Sequence, residues 1–160
     1  MTGFRIGFGY DVHQLGEGHK LVIGGIEVPH SRGSIGHSDG DVLIHAICDA
    51  MLGALNLRDI GFHFPDTKAE LKGIDSKIIL KKTIQLIREK GYDIGNIDTT
   101  ICLQKPRLLS HIPLMQEALA KVMEISQQKI AIKATTTERL GFVGVEQGIS
   151  AYAVVLLHEK

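Results

Sequence analysis

Apolar positions change their spacing several times along the chain, and each change marks an element. Phe4 to Tyr10 reads as a strand that ends where Asp11-Val12-His13 begins. Gly7 and Gly9 are poor strand formers, so this is a place where a backbone or a ligand approaches closely. Lys20 to Ile23 and Ile26 to Val28 flank Gly24-Gly25 and read as a short hairpin. Ser38 to Leu55 opens on capping residues. It continues through Val42, Leu43, Ile44, Ala46, Ile47, Ala50, Met51 and Leu52 as a helix apolar nearly all round. Asp75-Ser76 caps a second helix, carried by Ile78, Ile79, Leu80, Ile84, Leu86 and Ile87 and closed by Arg88, Lys90 and Gly91. Ile97 to Leu103 is a strand. Ser110 opens a third helix through Val122, with Pro113 tolerable in its first turn. Lys129 to Ala134 and Ile149 to Leu157 are the last two strands.

The final strand hardly alternates, which predicts cover on both of its faces. Three helices cover one face of a small sheet, so the second face implies another subunit and a homo-oligomer. The expected fold is α/β (α+β): a single small domain over residues 1–160, with an approximately four-stranded mixed sheet, helices on one face and subunit contacts on the other. The longest loops, Asp59 to Gly73 and Gln104 to Leu109, are rich in Pro, Asp and Lys, and loops of this kind often carry binding function.

Composition narrows the function classes. With 160 residues, the chain is long enough to bury a real core. Eighteen Lys and Arg balance eighteen Asp and Glu, which argues against nucleic acid or an anionic membrane as a partner. Any phosphate recognition must then be local. Cys48 and Cys102 lie in apolar periodic segments and read as buried thiols rather than a disulfide framework. The N-terminus carries no charged-then-apolar signal pattern, and no apolar run is long enough to span a bilayer, so a cytoplasmic protein is expected.

The most informative chemistry is Asp11 and His13 together with His45. One carboxylate and two imidazoles form an O/N/N set that suits zinc and leaves a fourth tetrahedral position open. Asp41, His45 and Asp49 share one helical face at i, i+4 spacing. Either carboxylate could accept from the ring nitrogen of His45 that does not face the metal, or simply satisfy a buried histidine. His37 and Ser38 precede this helix in Gly36-His37-Ser38-Asp39-Gly40-Asp41, a place suited both to a helix cap and to phosphate. Thr135-Thr136-Thr137-Glu138 offers hydroxyls for phosphoryl oxygens and a carboxylate for a hard cation. Its Thr-x-x-Glu spacing also fits a capping box.

Taken together, these residues resemble the 2-C-methyl-D-erythritol 2,4-cyclodiphosphate synthases of the non-mevalonate isoprenoid pathway. The matching segments are Gly9-Tyr-Asp-Val-His13, His37-Ser-Asp-Gly-Asp-Val-Leu-Ile-His45-Ala, Asp59-Ile-Gly61, Phe64-Pro-Asp-Thr67, Lys133-Ala-Thr-Thr-Thr-Glu138 and Leu140-Gly-Phe142. They run in order from near residue 5 to the C-terminus. The resemblance implies conversion of 4-diphosphocytidyl-2-C-methyl-D-erythritol 2-phosphate to the cyclic diphosphate with release of CMP. It implies that Asp11, His13 and His45 hold one Zn²⁺ per subunit, with a β-phosphate oxygen as fourth ligand, and that Glu138 holds Mg²⁺ or Mn²⁺. His37 and Thr136 would position the phosphates and stabilise the transition state. Substrate contacts would come from Ser38, Asp49, Asp59, Ile60, Gly61, Phe64, Pro65, Asp66, Thr67, Leu103, Arg107, Leu108, Leu109, Thr135, Thr137 and Phe142. Backbone groups of the Leu103 to Leu109 loop would read the cytosine edge. The family is homotrimeric, with sites between neighbouring subunits.

Two positions depart from the family pattern. Val145 stands where some members carry a basic residue, and Tyr152 where several carry a carboxylate facing the trimer axis. Both bear on a central cavity, and neither touches the metal or nucleotide positions. The rival chemistry for the same residues is a zinc phosphohydrolase acting on a nucleotide-linked diphosphate, which would give a linear product. A non-enzymatic rival is a binding module whose zinc only holds the fold.

Overall fold

The computed structural model describes residues 3–65 and 73–160. Its elements are β1 (Phe4–Glu17), β2 (Leu21–Ile23), β3 (Ile26–Val28), β4 (Arg32–Ile35), α1 (Val42–Ala54), α2 (Ile60–His63) and α3 (Ser76–Glu89). They continue with β5 (Tyr92–Cys102), α4 (Ile112–Met123), a 3-10 turn at Gln127–Lys129, β6 (Ile130–Thr135), α5 (Gly141–Gly144) and β7 (Gly148–Glu159). The five-stranded sheet has the order β4-β1-β7-β5-β6, and β2 and β3 form a separate hairpin. Only β5 and β6 run parallel, with α4 in their connection; the other pairings are antiparallel. The mixed α/β class is as the sequence predicts.

Two strands are longer than their apolar patterns, for separate reasons. β1 continues through Asp11 and His13 to Glu17, because Gln14 to Glu17 pair with the fifth strand, β4. That strand reads Arg-Gly-Ser-Ile and carries no alternation, so neither it nor the extension was visible in the pattern. β5 starts at Tyr92 rather than Ile97. A bulge between Ile94 and Asn96 breaks its period of two, and both Ile94 and Ile97 are buried.

α1 lies directly on the sheet. A Cβ at Gly7 would stand 1.7 Å from the Ala50 carbonyl oxygen, and one at Gly9 would stand 1.9 Å from that of Ala46. The two strand glycines therefore admit the helix backbone itself, the close approach that the sequence signals. All of α1 except Asp49 and Gly53 is buried, with α3 packed over it and α4 beside α3. The helix begins at Val42, not Ser38: Asp41 is its cap, accepting from the Ile44 amide at 3.0 Å.

The opposite face of the sheet is uncovered in the protomer. Phe4, Ile6, Phe8, Tyr10 and Val12 of β1 stand beside Tyr152 and Val154 of β7, and Ile6 is 72% exposed and Phe8 63%. Tyr10 and Tyr152 stack at 5.0 Å between ring centroids. An apolar patch of this kind marks an interaction surface. Among the described residues, no helix is long and apolar enough to cross a membrane.

Candidate metal centre and active site

Asp11 and His13 alternate along β1, so both side chains leave the same face of the strand. The glycine contacts set α1 against that face and bring His45 to them. Asp11 Oδ2 lies 2.9 Å from His13 Nε2 and 3.0 Å from His45 Nδ1, and the two imidazole nitrogens are 3.1 Å apart. Among the described residues these three form one group that could hold a metal ion. Ligands around a tetrahedral zinc with bonds of about 2.0–2.1 Å stand about 3.3 Å apart, so small side-chain adjustments would seat the ion. The donor set fits the metal.

The electrostatics fit as well. Burial opposes ionisation of Asp11, but hydrogen bonds and charge from His13 and His45 prevail and hold its carboxyl down at about 2. Burial likewise opposes charge on His45, and the Asp11 hydrogen bond and charge outweigh it to raise that imidazole. A carboxylate kept ionised between a half-buried and a buried imidazole is a ready cation ligand.

Neither flanking carboxylate of α1 serves the His45 ring, which corrects one expectation. Asp41 is fully buried and engaged elsewhere: besides capping α1, it accepts from the amides of Gly24 at 2.9 Å and Gly25 at 2.7 Å, clamping the β2–β3 turn to the helix. Burial pushes its carboxyl up to about 6 despite these donors. Asp49 accepts from the Ile60 amide at 2.8 Å and so holds the start of α2. The partners of His45 Nε2 are instead Ser76 Oγ at 3.0 Å and Ser38 Oγ at 3.2 Å.

A cavity of about 380 Å³ opens over the triad, lined also by His37, Ser38, Ile60, Gly61 and Phe64. His37 is exposed, and it lies in the loop ahead of α1 rather than in the helix's first turn. Asp59 caps the short α2 by accepting from the Phe62 amide at 2.9 Å. Pro65 is half-buried after α2, and Asp66 and Thr67 lie outside the described residues.

The other predicted contacts gather elsewhere. Leu103, Arg107, Leu108, Leu109, Thr135 and Thr136 line a second cavity of about 410 Å³ at the ends of β5 and β6. Strand register sets Asp11 level with Ala151, Ile101 and Ala134, so both cavities sit at the same end of the sheet. They stand three strands apart, or roughly 14 Å. Beyond β6 the chain turns sharply: Glu138 and Arg139 have φ of 53° and 65°, the left-handed region. Such strain in non-glycine residues collects at functional sites. Thr137 Oγ1 donates to the Leu140 carbonyl at 2.7 Å, closing the turn, and the Glu138 carboxylate stays exposed. Phe142 belongs to neither cavity; it borders a third hollow with His13 and Arg32. Within one protomer, then, His37 and Thr136 do not meet.

A family model described as the YgbB family matches residues 4–158. The chain belongs to the YgbB family. One YgbB relative, the 2-C-methyl-D-erythritol 2,4-cyclodiphosphate synthase of Bacteroides thetaiotaomicron, is 64% identical over 155 residues, covering 97% of this chain and 98% of its own. Among solved structures, the bifunctional IspDF from Campylobacter jejuni matches with a TM-score of 0.96 and 38% identity, over 100% of this chain and 43% of that one. The CDP complex of IspF from Plasmodium falciparum matches with a TM-score of 0.87 and 35% identity, over 100% of this chain and 99% of that one.

Two residues of this YgbB site escaped the sequence reading. Ser76 reads as part of a helix cap, and Asp39 as one acid among several in a polar loop. The sequence signal was slight: Asp75 and Ser76 are both capping residue types, and only one is needed as the cap. In the structure Asp75 takes the Lys77 amide at 2.9 Å, and the Ser76 hydroxyl serves elsewhere.

Proposed function

We propose that this protein cyclises 4-diphosphocytidyl-2-C-methyl-D-erythritol 2-phosphate to 2-C-methyl-D-erythritol 2,4-cyclodiphosphate, releasing CMP, as a lyase of the non-mevalonate isoprenoid pathway in the cytoplasm. The observation that carries it is the convergence of Asp11, His13 and His45 beneath a cavity lined by His37 and Ser38, in a YgbB chain whose relatives bear that synthase name.

Asp11, His13 and His45 would hold zinc and Glu138 would hold Mg²⁺ or Mn²⁺; when bound, these ions would neutralise phosphoryl oxygens where negative charge gathers. The residues do the rest by placement. The substrate's own 2-phosphate is the nucleophile, it attacks the β-phosphorus, and CMP departs with the electron pair of the broken P–O bond. No side chain forms a covalent intermediate. His37, with Ser38, orients the phosphates over the triad. Thr136, flanked by Thr135 and Thr137, holds them from the other side. Asp59, Ile60 and Gly61 contact the ribose, Phe64, Pro65, Asp66 and Thr67 are further substrate-binding residues, and the Leu103 to Leu109 backbone reads cytosine. Enclosure folds a flexible chain into in-line geometry, the main source of rate in a reaction that needs little covalent help from protein.

The separation of the two cavities supports a homotrimer over residues 1–160. The bare face with Ile6, Phe8 and Tyr152 packs at the centre, and the triad cavity of one protomer meets the Thr136 cavity of the next. Its test is CMP release measured beside zinc content. One zinc per subunit and metal-dependent CMP release support the reading, and a protein that binds zinc but leaves the substrate intact refutes it.

A further inference from the structure

We propose that Asp39 and Ser76 form a relay that positions His45, fixing which of its ring nitrogens faces the metal; this rests on the metal-centre reading above. A neutral imidazole carries one N–H, and a ligating ring must carry it on the nitrogen turned away from the ion. The relay determines that placement. Asp39 is an acceptor: its Oδ2 takes the Ser76 amide at 3.0 Å, and its Oδ1 takes the Ser76 hydroxyl and the Asp41 amide. Ser76 has a single hydroxyl hydrogen, and Asp39 takes it. Toward His45 the hydroxyl can then only accept, so Nε2 carries the proton over the 3.0 Å contact. When the ion displaces the Nδ1 proton that Asp11 accepts at 3.0 Å, Nδ1 is the nitrogen left with a lone pair for the metal.

Three observations separate this from ordinary helix capping. Asp75 already caps α3, so the Ser76 hydroxyl is not needed there. Ser76 is fully buried, with no solvent to substitute for its partners. Asp39 and Ser76 lie 37 positions apart, and backbone bonds lock their segments together: Asp39 donates to the Ile74 carbonyl at 3.1 Å, and Gly73 donates to that of His37 at 2.6 Å. The relay therefore ties the His37 loop to the His45 ring as one unit. Ser38 Oγ makes a longer contact with the same nitrogen at 3.2 Å while accepting from the Gly40 amide; with the proton on Nε2 it serves as a second, weaker acceptor.

The test is a zinc competition titration against a chromophoric chelator, using full-length protein, Ser76→Ala and Asp39→Asn. The relay predicts that both substitutions weaken zinc binding roughly 10- to 100-fold. Nitrogen-15 histidine NMR of zinc-loaded wild type gives a second readout that needs no variant to fold. His45 should carry a slowly exchanging proton on Nε2. Variants that bind zinc as tightly as wild type, or a wild-type His45 that coordinates through Nε2, would overturn the relay. A wild-type protein that binds no zinc at all would instead remove the metal-centre reading, so the two failures are distinguishable.

Discussion

Gly9 lies so close beneath Ala46 that a single added carbon would stand 1.9 Å from the Ala46 carbonyl oxygen. Because His45 precedes Ala46, this contact sets how far the His45 ring sits from Asp11 and His13. Gly9→Ala must push α1 outward or distort β1. Overpacking against backbone should destabilise the fold by about 3 kcal/mol or more, at the upper end of such changes. Denaturant unfolding and zinc stoichiometry check this, and both should fall together. A variant with wild-type stability and full zinc would show that the helix does not depend on that glycine.

His45→Ala removes a donor from the one group among the described residues that could hold a metal ion. Losing the charge stabilisation that the site supplies should lower the CMP release rate by at least about 10³-fold. Metal analysis should show zinc lost in parallel, while circular dichroism shows the helices retained.

Asp41 gives a pH signature. Burial raises its folded pKa to about 6, above its ordinary value of 3.8. The sign follows from linkage: the favourable contribution is complete below pH 3.8 and is lost as pH rises through about 6. Asp41→Asn cannot titrate and leaves the Gly25 amide without its acceptor, a loss of about 1–3 kcal/mol. The stability difference between wild type and Asp41→Asn should widen on acidification from pH 7 to pH 4. A pH-independent difference would contradict this account of Asp41.

In chelator-treated protein Asp11 runs the other way. Its pKa is lowered to about 2, so its contribution is present above pH 3.8 and disappears as pH falls through about 2. Asp11→Asn should therefore destabilise the metal-free protein at pH 6 and become neutral near pH 2, as read from thermal midpoints.

The bare sheet face predicts an assembly effect. Phe8→Lys places a charge where the protomer exposes an aromatic ring, so the isolated fold should tolerate it. Sedimentation should shift from trimer to monomer. CMP release should fall about 10²-fold or more, since the two cavities would no longer be held in register.

Much of this was legible in the chain because burial writes itself into periodicity. The apolar run of α1, the amphipathic α3 and the doubly apolar β7 could be read directly. The glycines of β1 announced a close approach, though not that the Ala46 and Ala50 backbone would make it. What stayed hidden came from contacts between distant segments. β4 exists only through pairing with β1, and the β5 bulge offsets the alternation that would have revealed that strand's first half. In the site, donor chemistry singles out Asp11, His13 and His45, and the fold brings these three donors together. The partners of His45 were misassigned to its own helix, because i, i+4 spacing cannot show that Asp41 is occupied by Gly24 and Gly25 while Ser76 arrives from another helix.

Phosphorus NMR of the product tests the central claim most directly. With purified protein, zinc and Mg²⁺ or Mn²⁺, the substrate should yield CMP and a second species with two mutually coupled diphosphate phosphorus signals and no sugar monophosphate signal. A product that keeps its monophosphate, as a linear hydrolysis product would, contradicts the cyclase assignment.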